Sequence, residues 1–129
     1  MNESSDLMAF ARDLFSGMGP VAARRMFGGV GLFAGGIMFG LIDDGTIYLK
    51  TDEALKRDLG EAGARSWIYV ERKGPKAGIE QQTSYWSLPE SASDDPEEAC
   101  AWGRRALAVA SAFKTAGPKR RAPVSGRRV

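Results

Sequence analysis

Histidine is absent from this sequence, and cysteine occurs once, at position 100. The first absence removes Ser-His and Cys-His nucleophilic catalysis and the commonest metal ligand. The second removes an internal disulfide and a cysteine zinc site. Cys100 is left as a small helical core residue in a chain expected to be cytoplasmic. No apolar run approaches the roughly 20 residues needed to span a bilayer, so no membrane association is expected. The start, Met-Asn-Glu-Ser-Ser-Asp, is polar and acidic and lacks the basic onset of a secretory signal. Acidic residues are missing from Lys114 onward, where six basic ones stand (Lys114, Lys119, Arg120, Arg121, Arg127, Arg128). The rest of the chain holds twelve basic and sixteen acidic residues, a net charge of −4. The basic balance therefore belongs to the tail.

What is present is one domain's worth of chain. At 129 residues, 43% hydrophobic and 26% charged, the composition is that of a soluble globular protein. The expected division is a folded domain over 1–113 and a basic, disordered tail over 114–129, since the tail is rich in Pro, Gly and charge.

The organising stretch runs from Arg24 to Lys50. Apolar segments Met26–Phe33, Ile37–Ile42 and Thr46–Lys50 are joined by expected turns at Ala34-Gly35-Gly36 and Asp43-Asp44-Gly45. That spacing predicts a three-strand meander with tight hairpin turns. Val21 to Arg25 is expected to connect it to a preceding helix. In the middle strand Ile37, Phe39 and Leu41 alternate with Met38 and Ile42, so both faces are apolar. One face is expected under helices and the other against a second subunit. Gly29, Gly31 and Gly40 are expected to leave one face bare of side chains.

Ser4-Ser5-Asp6 predicts a first helix whose apolar face carries Leu7, Phe10, Ala11, Leu14, Phe15 and Met18, with Arg12 and Asp13 opposite. Thr51-Asp52-Glu53 starts a second helix with Leu55, Leu59 and Ala62 on its narrow apolar face and Gly63 as its stop. Trp67–Val70 and Thr83–Leu88 are two further strands. Between them Glu71 to Gln82 is a long polar loop, expected to be mobile. Asp94-Asp95-Pro96-Glu97-Glu98 is a strong helix start. The helix after it carries Ala99, Trp102, Ala106, Ala110 and Phe113 on one side, with Gly103 in its middle. The order helix, three strands, helix, two strands, helix predicts an α+β domain, an antiparallel sheet with its helices on one face.

Gly29-x-Gly31-x-x-Ala34 fits a dinucleotide fingerprint only superficially, because a turn and a strand follow where a helix N-terminus must hold the pyrophosphate. The same glycines with Lys50 suggest a kinase phosphate loop, but the chain is too short and has no histidine for the catalytic loop. The acids at Asp43-Asp44 and Asp94–Glu98 read as a turn and a helix cap. No catalytic residue, metal site or cofactor is therefore expected. Arg24-Arg25 at a strand entrance reads as a solvated edge, or as a pair for an acidic partner or phosphate. Tyr85-Trp86 places one ring in the core and the other at an interface. Lys119, Arg120, Arg121, Arg127 and Arg128 are candidates for weak, salt-sensitive nucleic-acid contact.

Arg24-Arg25-Met26-Phe27-Gly28-Gly29, the following Gly-Leu-Phe and Met-Phe-Gly-Leu-Ile, and Ile47-Tyr48-Leu49-Lys50 are more specific than a generic meander. With Ser84-Tyr85-Trp86-Ser87-Leu88-Pro89 and the Asp-Asp-Pro-Glu-Glu helix start, the sequence resembles the TfoX (Sxy) N-terminal domain family over roughly Asp6 to Phe113. The resemblance implies an α-β(3)-α-β(2)-α fold. It also implies kinship with regulators of natural competence that act as coactivators of a cAMP-receptor-type transcription factor.

The leading expectation is thus a non-enzymatic regulatory or protein-interaction domain, a homodimer with a transcription factor as partner. Arg24, Arg25, Phe27, Gly28, Gly29, Tyr85 and Trp86 are its candidate interaction residues. The alternatives are direct nucleic-acid association through the tail, and a small-ligand sensor or enzyme using the glycine-rich sheet surface.

Overall fold

The computed structural model describes residues 3–26, 29–70, 74–75 and 77–116. Helix α1 (Glu3–Leu14) leads through a 3-10 turn (Ser16–Met18) into four strands: β1 (Ala22–Met26), β2 (Gly29–Ala34), β3 (Ile37–Asp43) and β4 (Thr46–Lys50). Helix α2 (Glu53–Glu61), strands β5 (Ser66–Val70) and β6 (Glu80–Ser87), a second 3-10 turn (Glu90–Ala92) and helix α3 (Pro96–Ala116) follow. The six strands form one antiparallel sheet in the order β1-β2-β3-β4-β6-β5. The fold is α+β as expected, with one strand more than the sequence suggested.

That extra strand corrects the reading of Val21 to Arg25 as a connector. Ala22–Met26 pairs along its whole length with β2, and Met26 faces Gly29, so the long first strand is in fact a hairpin. Its sequence, AARRM, has no apolar alternation because one arginine faces each side of the sheet.

The turns follow the glycines. Gly35 and Gly36 have φ of 59° and 80°, and Asp44 and Gly45 have 50° and 79°. Two successive left-handed residues match the twist of the flanking strands, as in a type I′ hairpin. The helix ends are equally legible. The Asp52 carboxylate accepts the Leu55 N–H at 2.9 Å and caps α2. The Asp95 carboxylate accepts from the N–H groups of Glu97 and Glu98, with Pro96 in the first turn of α3.

All three helices pack on one side of the sheet. Ala11, Leu14 and Phe15 before β1, Leu55 and Leu59 of α2, and Ala99, Ala106 and Val109 of α3 join one buried cluster. The sheet contributes Val30, Leu32, Ala34, Phe39, Ile42, Ile47 and Leu49. The Phe15 and Phe39 rings meet edge to face at 5.5 Å, worth about 0.5–1.5 kcal/mol beyond their burial. Gly103 permits the closest helix contact. A Cβ there would lie 2.6 Å from the Met18 sulfur and 3.1 Å from the Phe15 ring, so the mid-helix glycine makes room for the 3-10 turn.

A register shift at Phe39 alters the expected alternation in β3. Gly40 faces Leu32 and Met38 faces Phe33, leaving Phe39 as the extra residue. Phe39 and Ile42 therefore share the helix side, while Met38 and Leu41 fall on the other. Gly40 also lies on the helix side, between Leu32 and Leu49, and not on the bare face expected of it. Three apolar positions assigned to helix faces are solvent-exposed: Phe10 of α1, Ala62 after α2, and Phe113 of α3.

Candidate functional site

No helix among the described residues crosses the other side of the sheet; only the end of α3 reaches its border, where Phe113 meets Lys50. Register places Arg24, Met26 and Phe33 at one end. Met38, Leu41, Tyr48 and Lys50 lie in the middle, and Tyr85, Trp67 and Tyr69 at the other end. Residues opposite one another on paired strands share a face, which brings these together from all six strands.

Trp67 is the centre of the aromatic end. Its ring lies 6.0 Å from Tyr48, 5.7 Å from Tyr69 and 6.1 Å from Tyr85, measured between centroids. Its indole N–H donates to Asp43 Oδ2 at 3.0 Å. Lys50 stands beside this cluster. Its ammonium donates to Ser84 Oγ at 2.7 Å and lies 5.3 Å from the Tyr85 ring and 4.6 Å from the Phe113 ring. No ion pair to Lys50 occurs among the described residues. Burial lowers the Lys50 pKa from its ordinary value and raises that of Tyr85. The cation rests on ring faces, an arrangement worth about 0.5–2 kcal/mol per contact, the more so when desolvated.

At the opposite end the Arg24 guanidinium lies 5.2 Å over the Phe33 ring. Met26 and Phe33 fold across Gly31, where a Cβ would meet the Met26 sulfur at 2.6 Å and the Phe33 ring at 2.9 Å. A Cβ on Gly29 would meet the Ile42 carbonyl oxygen at 2.7 Å. The glycines thus serve close approach within the sheet, and the chain's own atoms fill the space above them. A shallow, open depression lies elsewhere, on α1 beside Asp6, Phe10, Arg12 and Asp13.

The two arginines of the expected pair part company. Arg24 belongs to the open face, whereas Arg25 turns to the helix side and donates to Ser5 Oγ at 3.1 Å. Tyr85 and Trp86 also divide: Tyr85 joins the Trp67 cluster and Trp86 packs against the core. Gly29 pairs with Met26. Phe27 and Gly28 lie outside the described residues, as do Lys119, Arg120, Arg121, Arg127 and Arg128. Sequence reasoning missed Trp67, Tyr69, Tyr48, Lys50 and Asp43 as one cluster. Its only local signal was the alternation Trp67-x-Tyr69 beside Tyr48-x-Lys50.

Among the described residues no group of three or more His, Cys, Asp or Glu side chains is placed to hold a metal ion. None of their helices is long and apolar enough to cross a membrane. The geometry presents aromatic edges flanked by two cations, Arg24 and Lys50, across a broad surface.

Comparison with known proteins gives one positive result. The family model for the TfoX N-terminal domain matches residues 13–110, from the end of α1 through every strand and into α3. No curated protein matches the chain. Because the match takes in the whole sheet and most of the sequence, this chain belongs to the TfoX N-terminal domain family.

Proposed function

We propose that this chain is a non-enzymatic regulatory domain that acts by binding a transcription factor, in a coactivator-type role, through the open face of its sheet. The observation that carries this reading is the aromatic cluster around Trp67 with Lys50 beside it, on a sheet face that runs on to Arg24 at its far edge and has no helix across it. Membership in the TfoX N-terminal domain family, associated with competence regulation, supports a regulatory reading. Aromatic and arginine side chains are the residue types that carry binding energy at protein interfaces. The two cations favour a partner that presents apolar side chains bordered by carboxylates.

The test is capture from native cells with the wild-type chain and with Arg24→Glu and Lys50→Gln, each with and without nuclease. The expected result is a sequence-specific transcription factor enriched by the wild type, resistant to nuclease and reduced several-fold by both substitutions. Enrichment of no such factor, or equal enrichment by both variants, overturns the reading. Loss of all enrichment on nuclease treatment replaces it with direct nucleic-acid association.

A further inference from the structure

The two edges of the sheet are guarded very differently. At one edge β1 carries Arg24 and Arg25, and α1 packs beside it, tied through Ser5. Charged side chains and a covering helix are standard protection against strand pairing. At the other edge β5 reads Ser-Trp-Ile-Tyr-Val, with no charge and no proline. Among the described elements it packs substantially against β6 alone. Ile68, Tyr69 and Val70 are 39%, 45% and 42% exposed, three of the seven large exposed hydrophobics of the described chain, consecutive on one strand.

The free backbone groups of this edge can be located. The Arg65 carbonyl accepts the Ser87 N–H at 2.8 Å, and the Trp67 carbonyl accepts the Thr83 hydroxyl at 2.9 Å. Odd-numbered residues of the strand therefore turn their backbone toward β6. Ser66, Ile68 and Val70 turn their N–H and C=O groups outward.

We infer that β5 is a dimerisation edge, pairing antiparallel with β5 of a second copy of this chain about a twofold axis at Ile68. Three features of the strand select that occupant and that register. An antiparallel pair of identical strands is self-complementary, as a twofold interface requires. Among the possible registers, only the one placing Ile68 opposite the partner's Ile68 pairs all five residues of Ser66–Val70. That register sets outward-facing backbone against outward-facing backbone, so Ser66, Ile68 and Val70 all find hydrogen-bond partners. It also sets Trp67 opposite the partner's Tyr69 at a non-hydrogen-bonded position, where side chains come closest. The strand is neutral, so no like charges meet across the axis.

The two open faces then become one continuous surface, with the Trp67 clusters adjacent at its centre. A five-residue strand buries less than a standard interface of roughly 1,600 Å², so the dimer is reversible and concentration-dependent. This inference stands apart from the identity of any transcription factor.

Sedimentation velocity over a concentration series tests it, on the wild type and on Ile68→Lys. The substitution puts two ammonium groups opposite each other at the axis while leaving the β5–β6 ladder intact. The expected result is a reversible wild-type dimer and a dissociation constant raised about tenfold or more in the variant, at unchanged melting temperature. A second arm needs no destabilising change. In a Cys100→Ala background, Ile68→Cys forms a disulfide-linked dimer under mild oxidation, whereas Ala54→Cys on exposed α2 does not. A wild type that stays monomeric to high micromolar concentration overturns the inference. So does an Ile68→Lys dimer as tight as the wild type, or equal cross-linking at both positions. If Ile68→Lys fails to fold, the cross-linking arm decides. Because the capture experiment uses Arg24 and Lys50, away from this edge, failure of one reading is distinguishable from failure of the other.

Discussion

Trp67 on the edge strand β5 donates its indole N–H to Asp43 at the end of β3, 3.0 Å away, although β4 and β6 lie between the two strands. The bond ties this edge of the sheet to the meander and fixes the ring against which Tyr48, Tyr69 and Tyr85 pack. Trp67→Phe keeps an aromatic ring and removes the donor. The expected loss is about 1 kcal/mol, since half-buried Asp43 recovers water. Urea unfolding of Trp67→Phe, Asp43→Ala and the double variant checks it, and the double variant should lose little more than either single one.

Gly40 makes a sharper prediction. A Cβ there would stand 2.7 Å from the Tyr48 carbonyl oxygen, which belongs to the neighbouring strand's backbone and cannot yield as a side chain would. Gly40→Ala is expected to destabilise the fold by about 2 kcal/mol or more. Gly31→Ala should cost less, because the atom met first there is the Met26 sulfur at the end of a flexible side chain. Equal losses in thermal or urea unfolding would contradict this account.

The start of α3 offers adjacent candidates, Asp94 and Asp95, and the structure selects the second. Asp95→Ala is expected to cost about 1 kcal/mol through two lost bonds to backbone N–H groups. Asp94→Ala, which removes no capping contact of that kind, should stay within about 0.5 kcal/mol of the wild type. Calorimetry on the two single variants separates them.

Lys50 and Tyr85 confer opposite pH dependences. Burial holds the Lys50 pKa below 10.5, so the unfolded chain keeps that proton to higher pH than the fold does. The Lys50 contribution to stability therefore improves as pH climbs through its lowered pKa toward 10.5. Burial raises the Tyr85 pKa above 10.0. Its contribution is complete below 10.0 and is lost as pH rises from there through the folded value. Urea titrations of the wild type and Lys50→Met across the alkaline range are expected to diverge, the wild type gaining on the variant up to 10.5. Parallel curves would show that Lys50 titrates as in water.

Much of this architecture could be read from local chemistry. Gly35-Gly36 and Asp44-Gly45 announce their turns because left-handed backbone has few tenants, and Asp95-Pro96 announces a helix because capping acts over three residues. The opposite fates of Tyr85 and Trp86 follow from strand alternation alone. Strand β1 was not readable, since Arg24 and Arg25 face opposite sides and carry no apolar rhythm. The shift at Phe39 was hidden because every residue from Ile37 to Ile42 except Gly40 is apolar, so any alternation fits. The Trp67 cluster was beyond local reading for a different reason. It depends on β4 pairing with β6, and on the end of α3 bringing Phe113 to Lys50, contacts between residues far apart in the chain.

The strand order carries a consequence for how the chain finds this arrangement. From β1 to β4 each partner is the next segment along, so those ladders zip up from short closures. The seam between β4 and β6 joins Tyr48 to Ser87 and must wait until α2 and β5 have been laid down. That seam is where the molecule would come apart first. Slow amide exchange is expected to persist longest in β2 and β3 and to fade soonest in β5, so the edge proposed for pairing sits on the sheet's most yielding side.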